Sequence, residues 1–452
     1  MDELVNLIKG KGQEIALFLF RFVFMKPIYI LITLLFFLTG CNSDKPVTPV
    51  MDTADYNDYL NTSMQQTHTD ALSEKEFWSK RLRPDSSGVG DLGPLAGSYT
   101  RLFQTTGNAA YLQDAEKLYK KAMAISANNK DVYARALAHT YISQHRFKEA
   151  KQVLEETYAG VSNKRPTEHA LFDVYMELGE YEKAEGMLDK LKNMSDFNYL
   201  IRLAKWNDHK GDLDTAIALM EKARDIADSR KSKSLQIWTY SNLADYYGHA
   251  GRIEDSYNYY IKTLQLQPDN AYVKKGLAWI AYSYEKDTAE ANRILDSVMS
   301  THTVPDYYLL KAELAEFEGN TEASEKYTND FLESVREGQY GGMYNTYLIE
   351  IYAETNPKRG LEIAKDEVGN RATSETYQLL AYAELKNGNK ERALQLIEDK
   401  VAGKTFEPMA LYYSALVYDA NDLDKKAAPL LEELSEASYE IGPVLSKKVR
   451  DL

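Results

Sequence analysis

One spacing of 34 residues recurs along this chain of 452, and it limits the possible folds more than any other property of the sequence. It is clearest at residues 237–270, "IWTYSNLADYYGHAGRIEDSYNYYIKTLQLQPDN". Large residues stand there at Tyr240, Leu243, Tyr247 and Tyr260, small ones at Ala244, Ser256 and Thr263, with Gly251 between them and Pro268 at the end. The pattern reads as two helices. The first runs to Tyr247, Gly251 permits the turn, and Ala244 and Ser256 let the second helix lie close against the first. The register returns with small residues at Ala138, Ala204, Ala278, Ala312, Ala381 and Ala415 on first helices, and at Ala115, Ala150, Ala184, Ala216, Ser324, Ala393 and Ala427 on second helices. Turns fall at "QHRF", "LGEY", "KGDL", "AGRI", "EGNT" and "NGNK". A single such unit would be any amphipathic hairpin, whereas units in phase bury their apolar faces by stacking.

In its placement of large, small and turn residues the stretch resembles the tetratricopeptide repeat (TPR). The resemblance covers roughly residues 92–441 and implies an all-α, right-handed superhelical solenoid of about ten TPR-like helix pairs with a concave face. Some units depart from the pattern. Phe172 occupies a small position, 271–304 has no glycine between its helices, and the unit from 342 to 372 uses "TNPKRG" as its turn. The longer interval from Ala216 to Ser256, with the link "DSRKSKS", predicts irregular packing and no domain break.

In that family the first helix of each unit lines the groove through its second, fifth, ninth, twelfth and thirteenth places. The resemblance therefore implies groove positions at Arg135, His139 and Ile142, then His169, Asp173, Met176 and Glu177, then Lys205, Asp208 and His209, then Trp238, Ser241, Asp245 and His249. Four of the seven histidines are in this set. His209 and His249 share one repeat position and each has a carboxylate near it, which suits a divalent transition metal or a pH-sensitive ligand. No HxxxH or HExxH pair tightens that geometry, so no metal is assigned and no cofactor is expected. The 34 tyrosines fit both inter-repeat packing and a binding face, since each buries area while its hydroxyl can still reach a partner.

The only cysteine, Cys41, follows "MKPIYILITLLFFLTGC": a cationic start at Lys26, an apolar run from Ile28 to Leu38, then small residues. Those are the zones of a secretory signal, and the run is short for a bilayer span. Leu38-Thr39-Gly40-Cys41 resembles the bacterial lipobox, which implies diacylglyceryl transfer to the Cys41 thiol and cleavage before it. The alternatives are a transmembrane anchor or a buried cysteine. Met25, directly before Lys26, is a second candidate start and would make 1–24 an upstream extension. Asn42 in place of Asp favours an outer-membrane destination, periplasmic or surface-facing, in a bacterial cell envelope. Residues 1–41 are thus read as leader, and 42–70, polar and without apolar period, as a flexible tether. Residues 71–91 are read as a capping helix and turn, with Ser73 and Glu76 as a capping box and Leu72, Phe77, Trp78 and Leu82 on one face. The solenoid follows at 92–441 and a tail at 442–452.

Composition narrows the function. A formal charge of -14 repels a phosphate backbone, so nucleic acid is not an expected partner. No GxxxxGK[ST] or GxSxG motif occurs, no strand–helix alternation could host a cofactor, and a lipidated Cys41 is no nucleophile, so catalysis is not expected. The reading is a lipid-anchored envelope scaffold that binds a protein or peptide, with the membrane engaged through Cys41. Capture of a glycan or metal ion at an uptake system is the alternative, and a hydrolase stands last.

Overall fold

The computed structural model describes residues 48–61, 65–82, 88–161 and 163–452. The chain divides into two units; of Met1–Pro49 only residues 48 and 49 are described, and the architecture below is that of Val50–Leu452. After a short helical turn at Thr53–Tyr56, helix α1 spans Gln66–Arg81. Ten helix pairs follow. They are α2 (Val89–Thr106) with α3 (Ala110–Ile125), α4 (Lys130–Ser143) with α5 (Phe147–Ala159), α6 (Lys164–Glu177) with α7 (Tyr181–Leu191), and α8 (Phe197–His209) with α9 (Leu213–Ser229). Next come α10 (Lys233–His249) with α11 (Ile253–Leu266), α12 (Ala271–Trp279) with α13 (Thr288–Met299), and α14 (Asp306–Phe317) with α15 (Thr321–Glu337). The last are α16 (Asn345–Thr355) with α17 (Pro357–Asn370), α18 (Ser374–Lys386) with α19 (Lys390–Leu396), and α20 (Pro408–Ala420) with α21 (Asp424–Glu436). Helix α22 (Ser438–Asp451) ends the chain, and no strand occurs among the described residues. The architecture is the expected all-α superhelical solenoid.

Turn chemistry explains the spacing. Gly179, Gly211, Gly251, Gly319 and Gly388 each sit in the second place of a turn at φ between 70 and 83°. In "QHRF" that place belongs to His145, at φ 56°, a left-handed conformation that costs a side-chain-bearing residue about 1 kcal/mol. The unit without a turn glycine takes another route: α12 runs into a π-helical stretch, Ile280–Tyr284, and Lys286 at φ 62° makes the reversal. In "TNPKRG", Gly360 supplies closeness, since a Cβ there would lie 2.7 Å from the backbone nitrogen of Ala353. Small positions behave as spacers, with Ala138, Ala204, Ala244, Ala278 and Ala381 all fully buried. Around them pack continuous apolar clusters, one of which runs from Tyr56 to Leu314.

The superhelix turns far enough for its early pairs to touch late ones. The α4–α5 turn receives Asn370, whose Nδ2 donates to the His145 carbonyl at 3.2 Å. Gly179 faces the Ala372 carbonyl, Gly211 faces the Phe406 ring, and the Thr303 amide donates to the Thr106 carbonyl at 2.9 Å. A Cβ at Gly211 would sit 2.8 Å from that ring, so this glycine serves the closure as well as the turn.

Three sequence expectations are corrected. The segment read as a tether does not hang free from Val50 on: the Val50 and Met51 amides donate to Glu285 Oε1 at 2.7 and 2.9 Å, and the fully buried Tyr56 donates to Glu290 at 2.7 Å. A polar segment can dock this way because carboxylates on the π-turn and α13 satisfy its amides and hydroxyl. Second, α1 begins at Gln66, which places Ser73 and Glu76 mid-helix instead of at a cap. The Thr67 amide and hydroxyl, bonded to Asp269 at 2.7 and 2.6 Å, fix the helix start. Ala71 is its buried residue, while Leu72 and Phe77 are exposed. Third, the tail read at 442–452 is helical from Pro443 to Asp451 and belongs to α22, which kinks at Gly442 and packs against α10, the Ile280–Tyr284 stretch, α14 and α20. The leader, Leu38, Thr39, Gly40 and Cys41 included, lies outside the described residues. Among the described residues, no helix is long and apolar enough to cross a membrane.

Candidate functional site

Of the sequence-derived groove residues, Asp245 and His249 line the main cavity, and the early units spend several of theirs on each other. Asp173 accepts from Arg202, and Lys205 Nζ donates to Glu177 at 2.8 Å. Arg371 NH1 reaches the same Glu177 at 3.8 Å and its Nε donates to the buried Glu367 at 2.7 Å, so this cluster staples the third pair to the eighth. Burial pushes the Glu177 carboxyl up, and Lys205 and Arg371 more than offset it, leaving it below the usual range. His169 is buried with Nδ1 unpartnered and its backbone carbonyl bonded to Arg202 Nε at 2.9 Å. Its pKa falls to about 4, first through burial and then through Arg202. His139 of α4 is exposed by surface area, and desolvation by the protein atoms around it lowers its pKa.

His209 and His249 have different partners. His209 stacks on Tyr181 with ring centroids 4.2 Å apart and lies 5.8 Å from the Trp206 ring. His249 Nδ1 pairs with Glu440 Oε1 of α22 at 2.8 Å. Among the described residues no group of three His, Cys, Asp or Glu side chains has a geometry fit for a metal ion. Trp238 is exposed on α10 and meets Phe197 edge to face at 5.9 Å.

Asp245 and His249 mark the near edge of a cavity of about 820 Å³. Its walls come from the inner faces of α10, α12, α14 and α16, joined by Tyr260 from α11 and by Tyr439 and Glu440 from α22. Asp245 accepts from the Tyr260 and Tyr272 hydroxyls, each at 2.6 Å. Glu313 accepts from Tyr282 at 2.9 Å and Glu350 from Tyr413 at 3.0 Å. Two ion pairs lie in the same lining, Lys275–Asp306 and His249–Glu440. Burial pushes Asp245 up, and pushes Glu313 and Glu350 up to about 7. For His249 burial acts downward, but Glu440, Asp245 and Asp208 together push it up to about 9. Asp208, raised by burial, and Glu407, raised to about 7 by burial and by Glu440 and Glu375, extend the acidic surface beyond the cavity.

The far wall escaped the sequence reading although its signal was present. Taken from 271, the second, fifth and ninth places are Tyr272, Lys275 and Trp279; from 305 they are Asp306, Leu309 and Glu313; from 346 the second and fifth are Tyr347 and Glu350. All eight line the cavity. Tyr439 and Glu440 carry no repeat signal, because they reach the site through the fold of α22.

Residues 112–157, from α3 through most of α5, match the tetratricopeptide repeat family model. The class is therefore an all-α solenoid that carries tetratricopeptide repeat sequence. No curated protein matches the chain. Similar solved structures include a tetratricopeptide repeat protein from Parabacteroides merdae, at 16% identity and a TM-score of 0.37, covering 54% of this chain and 92% of that one. Pseudomonas aeruginosa pilF gives 15% identity and a TM-score of 0.35 over 48% of this chain and 96% of its own. Yeast Tom70 gives 14% and 0.38 over 85% and 96%. At these scores the likenesses carry no functional argument, and the fold rests on the helix pairs themselves.

Proposed function

We propose that the chain is a non-enzymatic scaffold of the bacterial cell envelope, anchored through a lipid on Cys41 and binding a protein or peptide partner on its concave face. The observation that carries the binding half is the cavity of about 820 Å³ in which first helices from four successive pairs converge. Clefts of this size are where ligands bury most of their surface, and side chains from successive helices suit an extended polypeptide. The anchor half rests on the Leu38-Thr39-Gly40-Cys41 motif after its apolar run. A diacylglyceryl group carries two chains, at about 0.8 kcal/mol per buried methylene, which holds a protein on a membrane where a single chain does not. The docked start at Val50 leaves residues 42–49 as the stretch between the lipid and the solenoid. Asn42, in place of Asp next to the cysteine, favours an outer-membrane position.

Crosslinking in intact membranes, followed by purification and identification of adducts, tests the scaffold. A discrete envelope protein is the expected result. Capture of a glycan is the second reading, favoured by the exposed rings of Tyr272 and Tyr347 beside carboxylates. Retention on a polysaccharide column without any protein adduct would replace the scaffold with that reading.

A further inference from the structure

The cavity has an imbalance that its own residues do not correct. Lys275 and His249 are its two cationic side chains, and each is matched to a carboxylate, Asp306 at 2.5 Å and Glu440 at 2.8 Å. Asp245, Glu313 and Glu350 are left, and among the described residues none of the three forms an ion pair with a lysine or arginine; their hydrogen bonds come from tyrosine hydroxyls, while His249 acts on Asp245 and Lys448 on Glu313 only through longer-range attraction. A carboxylate placed in a recess without counter-charge is costly, so such a group either takes up a proton or gains from a positive charge brought to it. The walls between them are aromatic. Tyr272 is 58% exposed and Tyr347 38% exposed, although both sit on helices whose other rings are packed. Exposed aromatic faces beside carboxylates are the surroundings in which an ammonium or guanidinium group gains both ring attraction and charge attraction.

We propose that this cavity receives a lysine or arginine side chain from the partner polypeptide, so that the segment bound on the concave face is basic. The inference rests on the scaffold reading above and adds the chemistry of the partner. The aliphatic stem of the incoming residue lies against Tyr272, Tyr347 and Leu309, and its cationic head enters among Asp245, Glu313 and Glu350. Tyr439 and Glu440 close one side, so the docked α22 is part of the receptor.

The test uses the full chain and synthetic eleven-residue peptides whose central position is lysine, arginine, norleucine or glutamate, with binding read by fluorescence anisotropy. Lysine or arginine is expected to bind about tenfold or more tighter than norleucine, the size of one desolvated cation contact. The double substitution Glu313→Gln with Glu350→Gln is expected to bring that preference to within about twofold, with unchanged circular dichroism confirming the fold. The wild-type comparison of lysine with norleucine decides the matter even if the double variant does not fold. Equal binding of norleucine and lysine peptides would overturn the inference and leave the scaffold standing. Retention of no peptide, or displacement of bound peptide by a neutral oligosaccharide, would overturn it too. The membrane crosslinking judges the scaffold itself.

Discussion

Gly442 is where a single methyl group should detach the receptor's last wall. Its backbone sits at φ 76°, ψ 166° inside α22, a conformation open in practice to glycine alone and costing other residues about 1–3 kcal/mol. A Cβ would also lie 2.7 Å from Glu313 Oε1 and 2.9 Å from a Trp279 ring carbon, and overpacking of this kind adds about 1–3 kcal/mol. Gly442→Ala therefore weighs about 2–6 kcal/mol against docking of α22. The contacts that oppose it are of similar size. Ile441 and Val449 are buried, each worth about 1.5–3 kcal/mol, and the Tyr439 carbonyl accepts from Trp279 at 3.2 Å and Ser283 at 2.6 Å. Native-state hydrogen exchange read by mass spectrometry is the assay. Peptides from 438–451 should exchange about thirtyfold faster or more, the equivalent of 2 kcal/mol, while those from α4 to α9 stay as protected as before, because a repeat array couples mainly neighbours. Unchanged protection of 438–451 in the Gly442→Ala protein would refute the reasoning.

Other outcomes follow from the same geometry. Tyr56→Ala removes a fully buried ring and its bond to Glu290, a loss of about 3–5 kcal/mol that should free residues 50–60 to proteolysis; equal resistance would show that the segment is held elsewhere. The His249 pKa is raised from 6.5 to about 9, so its contribution to α22 docking is complete below about pH 6.5 and lost as pH rises through 9. With 49% of the side chain exposed, solvent screening leaves about 1 kcal/mol of that contribution. Exchange of 438–451, corrected for intrinsic rates, should rise across that window in the parent and lose the extra rise in His249→Gln. Cys41→Ser should abolish metabolic palmitate labelling and release the protein from membranes, and continued labelling would disprove the anchor.

The helix pairs were legible because their signals are local. A residue in the second place of each turn, Gly179 or Gly251, and a spacer such as Ala244 or Ala278 act within one unit, where spacing alone exposes them. The early groove residues were located by place in the unit, yet place could not tell that Asp173 and Glu177 are consumed by Arg202, Lys205 and Arg371. Those partners come from neighbouring or distant units. The docking of Tyr56 on Glu290 and of Tyr439 on Trp279 and Ser283 joins residues more than 150 positions apart. The segment around Tyr56 has no apolar period of its own and so looked free until the side chains that satisfy it were in view, whereas Ile441, Leu445 and Val449 do fall at helical spacing. The Tyr272 to Glu350 wall is the intermediate case, since its residues fall in the same places of their own units as the earlier groove residues.

The central claim is that the concave cavity is where a protein partner binds. A photo-crosslinking amino acid placed in turn at Tyr347, in the cavity wall, and at Lys222, exposed on α9, tests it in living cells. A discrete protein adduct at position 347 and none at 222 is the expected result. Adducts of equal yield at both positions, or none at 347 while the protein remains folded and on the membrane, would contradict it.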